Sequence, residues 1–591
     1  MRILGLNKGA SCNGKSLADG AIAYFEDDVL RALVMEERIT GVLRKGGFDE
    51  AYSLLKEKFN VDIDNIDHIG VSTCTESVSN SCIGIGSILE SHRSVHAIGH
   101  HYSHAYGTFQ MSGFDEALIV VIDGGGNVLP NSNNPNNPNW WEEPREQHSY
   151  YIANRNEVKL IGRDFDKPYD LGFGELFRAA TYLLGFNTSR KAANIMALAS
   201  YGEYKKVPLN PFIRVIDGVM VSELKYSCCD SYKSFAPLFS NKFNLEPLDL
   251  TNKRFTRDRL TKPYWDFCAY IQWNIEQAML EKLRFLKKAT KAAKLCITGG
   301  TALNCVMNAK VLESGLFDDV YVPFIPGDHG QSLGNALVVK DMFGQRGNYF
   351  FTNTQDAFLG VDNAAELTSE EIELYLTNKD DYMVVVTDKI ETYVATLLKN
   401  NFVVLTCVGN SEAGYRALGN RSILSNAFNK DALEWRGAVQ ATKDREWFRP
   451  YAPAISSSYF EKISGRKVKS PYMSFAINIE GIAEYFGECI SEDKRARIQT
   501  VDEKSFIGRV LCELEQIGDT PVCLNTSFNF PGKPIVESMK NALSVFEKTN
   551  IDVLATNSCL VCKKNSCELD AIITQLQETY SYKKGAKQCL T

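Results

Sequence analysis

The 591-residue sequence has no long apolar run and no segment of the signal-peptide type. No uncharged apolar stretch reaches the roughly 18 residues that a membrane-spanning helix requires, and residues 1–8 pass directly from a short apolar strand pattern into a loop. Basic residues are not in excess either, since the chain has 65 Lys and Arg residues and 72 Asp and Glu residues. We therefore expect a soluble, cytoplasmic protein that contacts neither a membrane nor nucleic acid.

Cysteine pairs at zinc-ribbon spacing are also missing. The sixteen cysteines are scattered along the chain, and several lie within apolar runs, among them Cys296 and Cys523. This pattern favours buried, reduced thiols over disulfides. Cys559 and Cys562 form a C-x-x-C without a second pair at the right distance, so we assign no zinc to them.

Residues 9–16 satisfy the G-x-x-x-x-G-K-[ST] pattern of a phosphate-binding loop. Such a loop must lead into a helix, but Asp19 and Gly20 follow almost at once, and residues 21–25 and 29–34 read as strands. We interpret the match as a coincidence, because a strand, a turn and two more strands resemble the opening of an actin-like ATPase lobe. Lys15 remains a candidate neighbour of a nucleotide phosphate.

His100 and His104 are four residues apart, which places both on one face of a predicted helix. Residues 118–123 read as a buried strand that ends in Asp123, and Gly124 and Gly125 then allow a phosphate to approach the backbone. Two imidazoles and a carboxylate form a mixed nitrogen and oxygen site for a divalent metal. A core histidine or a turn aspartate would explain either residue alone, but the combination favours a metal.

Two later strands end in similar turns. Residues 294–298 lead into Gly299 and Gly300, and residues 320–323 lead to Asp328, a second carboxylate at a strand tip. Ligands of α/β proteins gather at the carboxyl ends of strands. These turns therefore predict an α/β enzyme with a nucleotide cleft.

The second half of the chain places guanidinium and hydroxyl groups beside Gly and Pro turns, within residues 414–422, 443–450, 495–497 and 524–529. Arginine forks suit an oxyanion such as phosphate. Surface salt bridges would explain each cation singly.

A chain of this length exceeds a single hydrophobic core. We place a first domain at residues 1–350, a polar junction at 351–385 and a second domain at 386–591.

Seven motifs in order carry a family resemblance. They are His100 with His104, and residues 299–304, 327–330, 416–422, 448–453, 497–501 and 525–529. With them the chain resembles the ATP-dependent O-carbamoyltransferases of the NodU/CmcH type, which modify nodulation factors, antibiotics and related natural products. The resemblance implies actin-like ATPase lobes, similar to the ATPase of tRNA threonylcarbamoyl transfer, followed by a YrdC-like α/β domain.

The resemblance also implies a reaction in two steps. Carbamoyl phosphate would lose phosphate in the YrdC-like domain, and the carbamate would react with ATP to form carbamoyl adenylate. The carbamoyl group would then pass to a hydroxyl of a small natural product. A closed path between the sites would protect both intermediates from water.

Site residues follow by family position. The metal, expected to be iron with magnesium or manganese as alternatives, would be held by His100, His104, Asp123 and Asp328. Gly299, Gly300 and Asn304 fall where the family binds the adenosine part of the nucleotide. To these we add Lys15, Gly124 and Gly125, which the loop and turn described above place near phosphate. Carbamoyl phosphate would be held by Arg416, Lys443, Arg449, Arg497 and Ser527. Asp123 and His329 are the catalytic candidates.

The chain departs from the family in the half that binds the acceptor. The family's loop histidine is missing from residues 10–15, and its E-G-K-x-M-G-L-A segment is replaced by residues 192–199, without the Glu and the Lys. We expect His329 or a carboxylate of the acceptor site to replace the missing base. Alternatively, His329 only supports a neighbouring residue.

The last expectations concern partners and alternative functions. Trp140, Trp141, Glu142 and Glu143 could receive a cationic acceptor, and the chain is compatible with a homo-oligomer. A tRNA-modifying enzyme of the threonylcarbamoyl type and a non-enzymatic ATP-binding protein remain the alternative functions.

Overall fold

A computed structural model describes most of the chain. The described residues are 1–9, 18–73, 94–127, 144–166, 171–186, 191–207, 209–224, 235–248, 256–345, 349–361, 368–434 and 437–588.

The first sheet has five strands in the order β3-β2-β1-β4-β5. Its strands are β1 (Arg2–Asn7), β2 (Ala21–Glu26), β3 (Val29–Met35), β4 (His68–Thr73) and β5 (Val95–Gly99). The first three are antiparallel neighbours, and β4 and β5 continue the sheet in parallel.

The second sheet repeats this plan. Its order is β12-β11-β6-β7-β8, with antiparallel pairs from β6 to β8 and parallel pairs from β6 to β12. The strands of this part are β6 (Glu116–Ile122), β7 (Arg145–Asn154), β8 (Val158–Asp166), the hairpin β9 (Ile213–Ile216) and β10 (Val219–Ser222), β11 (Lys294–Thr298) and β12 (Asp319–Tyr321). Two sheets with one strand order confirm the α/β class and the paired actin-like lobes.

The carboxy-terminal part is built on an eight-stranded mixed sheet in the order β13-β22-β21-β14-β15-β20-β16-β19. Its strands, with the two-stranded ribbon β17 and β18, are β13 (Tyr382–Val386), β14 (Val404–Thr406), β15 (Ser422–Asn426), β16 (Ala452–Ser456), β17 (Ala476–Asn478), β18 (Arg495–Arg497), β19 (Gln499–Val501), β20 (Val522–Ser527), β21 (Val553–Ala555) and β22 (Cys559–Lys563). This is the α/β domain expected to be YrdC-like. The exact domain boundaries stay a prediction.

Helices cover the sheets. The described α-helices are α1 (Glu36–Thr40), α2 (Asp49–Phe59), α3 (His100–Ser112), α4 (Phe173–Leu183), α5 (Ala193–Ala199), α6 (Phe235–Phe243), α7 (Thr256–Arg259), α8 (Lys262–Thr290), α9 (Cys305–Glu313), α10 (Gln331–Met342), α11 (Ser369–Tyr375), α12 (Ile390–Lys399), α13 (Ala438–Lys443), α14 (Ser457–Ser464), α15 (Phe506–Gln516), α16 (Met539–Phe546) and α17 (Cys567–Gln588). Among the described residues, no helix combines the length and apolar character needed to cross a membrane.

Helices α3 and α10 approach each other closely because they meet at glycines. A β-carbon at Gly107 would lie 2.8 Å from the Cα of Gly334, and one at Gly334 would lie 2.3 Å from the carbonyl oxygen of Ser103. Only glycine permits such close backbone contact. The contact brings the first turn of α3 against the segment that precedes α10.

Cys559 and Cys562 lie in β22 with their side chains in different cores. Cys559 packs in the core shared with the second lobe, and Cys562 packs in the core under α12 and α15. Residues three apart on a strand point to opposite faces. The two thiols therefore cannot ligate one zinc ion, in agreement with the sequence interpretation.

Candidate functional site

Four predicted metal ligands meet where three segments converge. His100 and His104 lie one turn apart in α3, Asp123 follows β6, and Asp328 stands in a short turn before α10. One ligand atom from each of the four residues lies within 4.8 Å of all the others. Nε2 of His100 is 2.9 Å from Oδ2 of Asp123, and Nε2 of His104 is 3.4 Å from Oδ1 of Asp328. The structure thus brings together the three residues predicted from the sequence pattern and Asp328, which the family resemblance added.

Hydrogen bonds and charge hold the cluster in place. Burial alone would lower the pKa of His100, but its hydrogen bonds to Asp123 and Asp328 raise that pKa to about 10. Burial would likewise raise the pKa of Asp328, whereas the two histidines hold it well below its usual range. Gln331 Nε2, which the sequence interpretation did not assign, donates to Asp328 Oδ1 over 3.1 Å. These hydrogen bonds therefore hold the imidazoles and carboxylates of the four residues close together.

The glycine turns predicted to bind a nucleotide lie beside this cluster. Oδ1 of Asp123 accepts hydrogen bonds from the backbone N–H groups of Gly124, over 2.7 Å, and Gly300, over 3.2 Å. Gly299 has a φ of +92°, and a β-carbon there would lie 2.3 Å from the carbonyl oxygen of Ile122. Both turns thus expose backbone directly beside the Asp123 carboxylate.

Asn304 uses its side chain within the protein. Its Oδ1 accepts from the N–H of Met307 at the start of α9, and its Nδ2 donates to Oε1 of Gln272 over 2.9 Å. Asn304 nevertheless lines the cavity described next. Its assignment to the nucleotide remains a prediction.

The four residues His100, His104, Asp123 and Asp328 are called the metal-type cluster below. A cavity of about 450 Å³ is lined by Asp123 and Asp328 of this cluster. Residues of the first half that line it include Asp19, Arg44, Asp123, Arg178, Gly300 and Asp328. Tyr415, Ser527, Asn529 and Lys533 line it from the carboxy-terminal domain. Both domains therefore contribute to one ligand-sized space.

A cluster of partly buried cations lies in the carboxy-terminal domain and comprises Arg416, Lys443, Arg445, Arg449 and Arg497. Burial and the neighbouring Arg497 lower the pKa of Arg416 to about 9. Burial, with Arg445 and Arg449, lowers the pKa of Lys443 well below its usual range. Burial and the charge of Arg449 also lower the pKa of Arg497. Because these cations repel one another, an anion bound among them would stabilise their charged forms.

Lys443 connects this cation cluster to the cavity. Its Nζ donates to Oγ of Ser527 over 3.0 Å and to Oδ1 of Asn529 over 2.6 Å. Ser527 and Asn529 both line the cavity. Arg445 and Asn529 were missed as site residues, although both stand within the cation-rich and Asn-Thr-Ser-Phe-Asn segments that the sequence singles out.

Glu446 joins the two halves of the protein beside the cations. One of its carboxylate oxygens binds Nζ of Lys191 and accepts from Nδ2 of Asn194 over 3.4 Å, while Arg449 donates to the other over 3.3 Å. Burial would raise the pKa of Glu446, but Arg449 and Lys191 lower it to about 2. Sequence reasoning did not find this contact, which joins residues 255 positions apart.

His329, the predicted catalytic base, is fully buried. Its Nδ1 lies 2.9 Å from the hydroxyl oxygen of Tyr415 and 3.8 Å from Oδ1 of Asp19. Lys15 and the segment from Trp140 to Glu143 lie outside the described residues.

Two matching lobes, a cleft cavity and a metal-type cluster define an actin-like α/β protein to which a further α/β domain has been added. Residues 88–337 match the family described as Carbamoyltransferase N-terminus, and residues 395–563 match Carbamoyltransferase C-terminus. Nodulation protein NolO of Bradyrhizobium diazoefficiens is 29% identical over 79% of each chain. Nodulation protein NolNO of Sinorhizobium fredii is 26% identical over 93% of this chain and 80% of its own. The chain belongs to the carbamoyltransferase family and is a transferase enzyme.

Solved structures with some likeness include full-length HypF in its phosphate- and nucleotide-bound form, with 13% identity, a TM-score of 0.33, and coverage of 59% of this chain and 56% of that one. The activator of 2-hydroxyisocaproyl-CoA dehydratase from Clostridium difficile with bound ADPNP has 11% identity and a TM-score of 0.32, over 58% and 96% of the two chains. The fold assignment rests on the strand order of the two sheets.

Proposed function

We propose that the protein is an ATP-dependent O-carbamoyltransferase that uses carbamoyl phosphate as its donor. Carbamoyl phosphate loses phosphate, and the resulting carbamate attacks the α-phosphate of ATP, which releases pyrophosphate and forms carbamoyl adenylate. The carbamoyl group then passes to a hydroxyl of a small natural product, and AMP leaves. The single observation that carries this proposal is that one cavity is lined both by Asp123 and Asp328 of the metal-type cluster and by Ser527 and Asn529, which accept hydrogen bonds from Lys443 of the cation cluster.

The cation cluster suits carbamoyl phosphate. Arg416, Lys443, Arg449 and Arg497 are the cations assigned to the donor, and Ser527 adds a hydroxyl that already bonds Lys443. A guanidinium group can donate two parallel hydrogen bonds to one phosphate group. Burial and the charges of Arg497 and Arg449 lower the pKa of Arg416, and a bound dianion would offset the repulsion among these cations. We add Arg445 to the residues assigned to the donor, because its charge interacts with that of Arg449 in the same cluster.

His100, His104, Asp123 and Asp328 fit a divalent cation, because four nitrogen and oxygen donors converge on one point. Iron is the expected ion, with magnesium or manganese as alternatives. When bound, such an ion supplies charge that stabilises the phosphates and the departing nucleotide. Asp123 also accepts from the N–H groups of both glycine turns, which orients it toward the phosphates.

The nucleotide would lie along Gly124, Gly125, Gly299 and Gly300, with Asn304 at the far end of the same cavity wall. A backbone without side chains lets phosphate and ribose approach closely. Arg178 lies over this site, since a β-carbon at Gly124 would be 2.9 Å from its guanidinium nitrogen. We therefore add Arg178 to the residues that contact the nucleotide phosphates.

The test is the release of pyrophosphate from ATP with and without carbamoyl phosphate, in the presence of ferrous ion. We expect release to require both substrates and to fall about 100-fold in Arg449→Ala, because a charge-assisted contact with the donor is lost. Arg509→Ala is the matched control, since Arg509 pairs with Glu391 on an exposed surface of the same domain. Pyrophosphate release from ATP at the same rate with and without carbamoyl phosphate would refute the proposal.

A further inference from the structure

Tyr415 belongs to the carboxy-terminal domain but presents its hydroxyl to the metal side of the cavity. It lines the cavity together with Asp19 and Asp328. A β-carbon at Gly327, the residue before Asp328, would lie 2.4 Å from the phenolic oxygen. The hydroxyl therefore stands close to where the carbamoyl group is to be transferred.

The phenol is oriented by His329. Nδ1 of His329 is 2.9 Å from the hydroxyl oxygen, and the two rings meet edge to face with centroids 5.2 Å apart. His329 is fully buried and does not line the cavity, whereas Tyr415 is partly exposed to it. Of this pair, Tyr415 is the member that a substrate can touch.

The loop that carries Tyr415 is rigid. Oε1 of Glu412 accepts hydrogen bonds from the backbone N–H groups of Leu418, Asn420 and Arg421, over 2.7 to 3.1 Å. From the first lobe, Arg38 donates to the carbonyl oxygen of Gly414 over 3.0 Å. A group held in advance in this way loses little entropy when it positions a reactant.

Arg416, the next residue along this loop, belongs to the cation cluster assigned to carbamoyl phosphate. Arg416 lies among the partly buried cations near Arg497 and Arg449. Tyr415 and Arg416 are adjacent, so one short loop reaches both the donor cluster and the acceptor side of the cavity.

The surroundings of Tyr415 keep its phenol protonated. Burial raises the pKa of Tyr415 well above its usual value, and the charges of Asp19, Asp328 and Glu37 add to this effect, while Arg44 opposes it. Arg44 itself is bound to both carboxylate oxygens of Asp19, over 3.1 and 2.6 Å. A neutral phenol suits hydrogen bonding to a hydroxyl group.

We propose that Tyr415 contacts the acceptor hydroxyl and aims its oxygen at the carbamoyl carbon, with His329 as the positioning residue behind it. This inference rests on the proposed function and gives the acceptor hydroxyl a contact where the family's loop histidine is missing, while the departing phosphate serves as the base. In the step, the acceptor oxygen bonds to the carbamoyl carbon, and the bond from that carbon to the adenylate oxygen breaks with its electron pair on AMP. The acceptor's proton passes to the departing phosphate, and Tyr415 keeps its own.

The experiment compares the wild-type chain with Tyr415→Phe. Both receive ATP, ferrous ion, 13C-labelled carbamoyl phosphate and the small-molecule fraction of the source cells as acceptor. Mass spectrometry measures labelled product, and pyrophosphate release measures the donor steps in the same tubes. With enzyme in excess over ATP, so that each chain turns over once, we expect the rate of product formation to fall at least about tenfold in Tyr415→Phe, while the rate of pyrophosphate release stays within about twofold of wild type.

Three further variants sharpen the test. Tyr472→Phe is the matched control, because Tyr472 donates to the carbonyl oxygen of Asn353 away from the cavity. His329→Asn, which cannot act as a base but can hydrogen-bond the phenol, should retain more transfer than His329→Ala. Tyr415→Phe with wild-type product formation, or with equal losses of both activities, would overturn the inference. A wild-type chain without pyrophosphate release would instead refute the proposed function.

Discussion

At the scale of single residues, Gly299 illustrates how backbone geometry builds the site. Its φ of +92° and its contact with Ile122 leave no room for a side chain, and its N–H donates to the carbonyl oxygen of Pro326 over 2.8 Å. The residue thus ties the turn after β11 to both β6 and the segment before Asp328. The metal-type cluster depends on this local fit.

Replacing Gly299 by alanine should therefore destabilise the protein strongly. We expect a loss of about 3 kcal/mol or more, because the new β-carbon meets backbone atoms that cannot rotate away. Gly315→Ala is the control: Gly315 also has a positive φ, +64°, but nothing lies within 4 Å of a β-carbon there. Its expected cost is about 1 kcal/mol. Thermal and denaturant unfolding of the two variants measure the difference, and equal costs would contradict this account.

At the scale of elements, His100, His104 and Asp123 could be placed together from the sequence because their signals are local, whereas Asp328 was assigned to the same site by the family resemblance. The four residues do lie together, and their binding of a metal stays a prediction. Two histidines one turn apart and carboxylates at strand tips follow directly from helix and strand geometry. The contact between His329 and Tyr415 had no such signal, since it joins residues 86 positions apart on different domains. The same holds for Lys191, whose place opposite Glu446 depends on how α5 meets the segment after α13.

The Glu446 contact gives a prediction about pH. Its folded pKa of about 2 lies below the ordinary value of 4.5, so its contribution is fully present above about pH 4.5 and is lost as the pH falls toward 2. We expect Glu446→Gln to lower the free energy of unfolding at pH 7 by roughly 1 to 3 kcal/mol, because Lys191 and Arg449 lose their partner. The difference from wild type should shrink below pH 4.5.

Glu461→Gln provides the control for this measurement, since Glu461 pairs with Lys467 on the exposed surface. Melting temperatures at pH 7 and at several values below 4.5 give the comparison. A Glu446→Gln variant as stable as Glu461→Gln at pH 7 would show that the carboxylate does not hold the two halves together.

At the scale of the whole molecule, the carboxy-terminal domain packs firmly on the second lobe. Trp447 meets Tyr201 and Trp265 with ring centroids 5.3 and 6.4 Å apart, and Arg495 pairs with Glu313 over 2.9 Å. One hydrophobic core extends across this junction. The cavity therefore has walls from both domains, which suits an unstable intermediate passed from one site to the other.

The most direct test of this account follows the donor carbon into the nucleotide. The full chain is incubated with 13C-labelled carbamoyl phosphate, ATP and ferrous ion without acceptor, and the quenched nucleotides are analysed by mass spectrometry. We predict labelled carbamoyl adenylate in the wild type and none in either Arg497→Ala, from the cation cluster, or His104→Ala, from the metal-type cluster. Formation of ADP and phosphate without any labelled nucleotide would contradict the account.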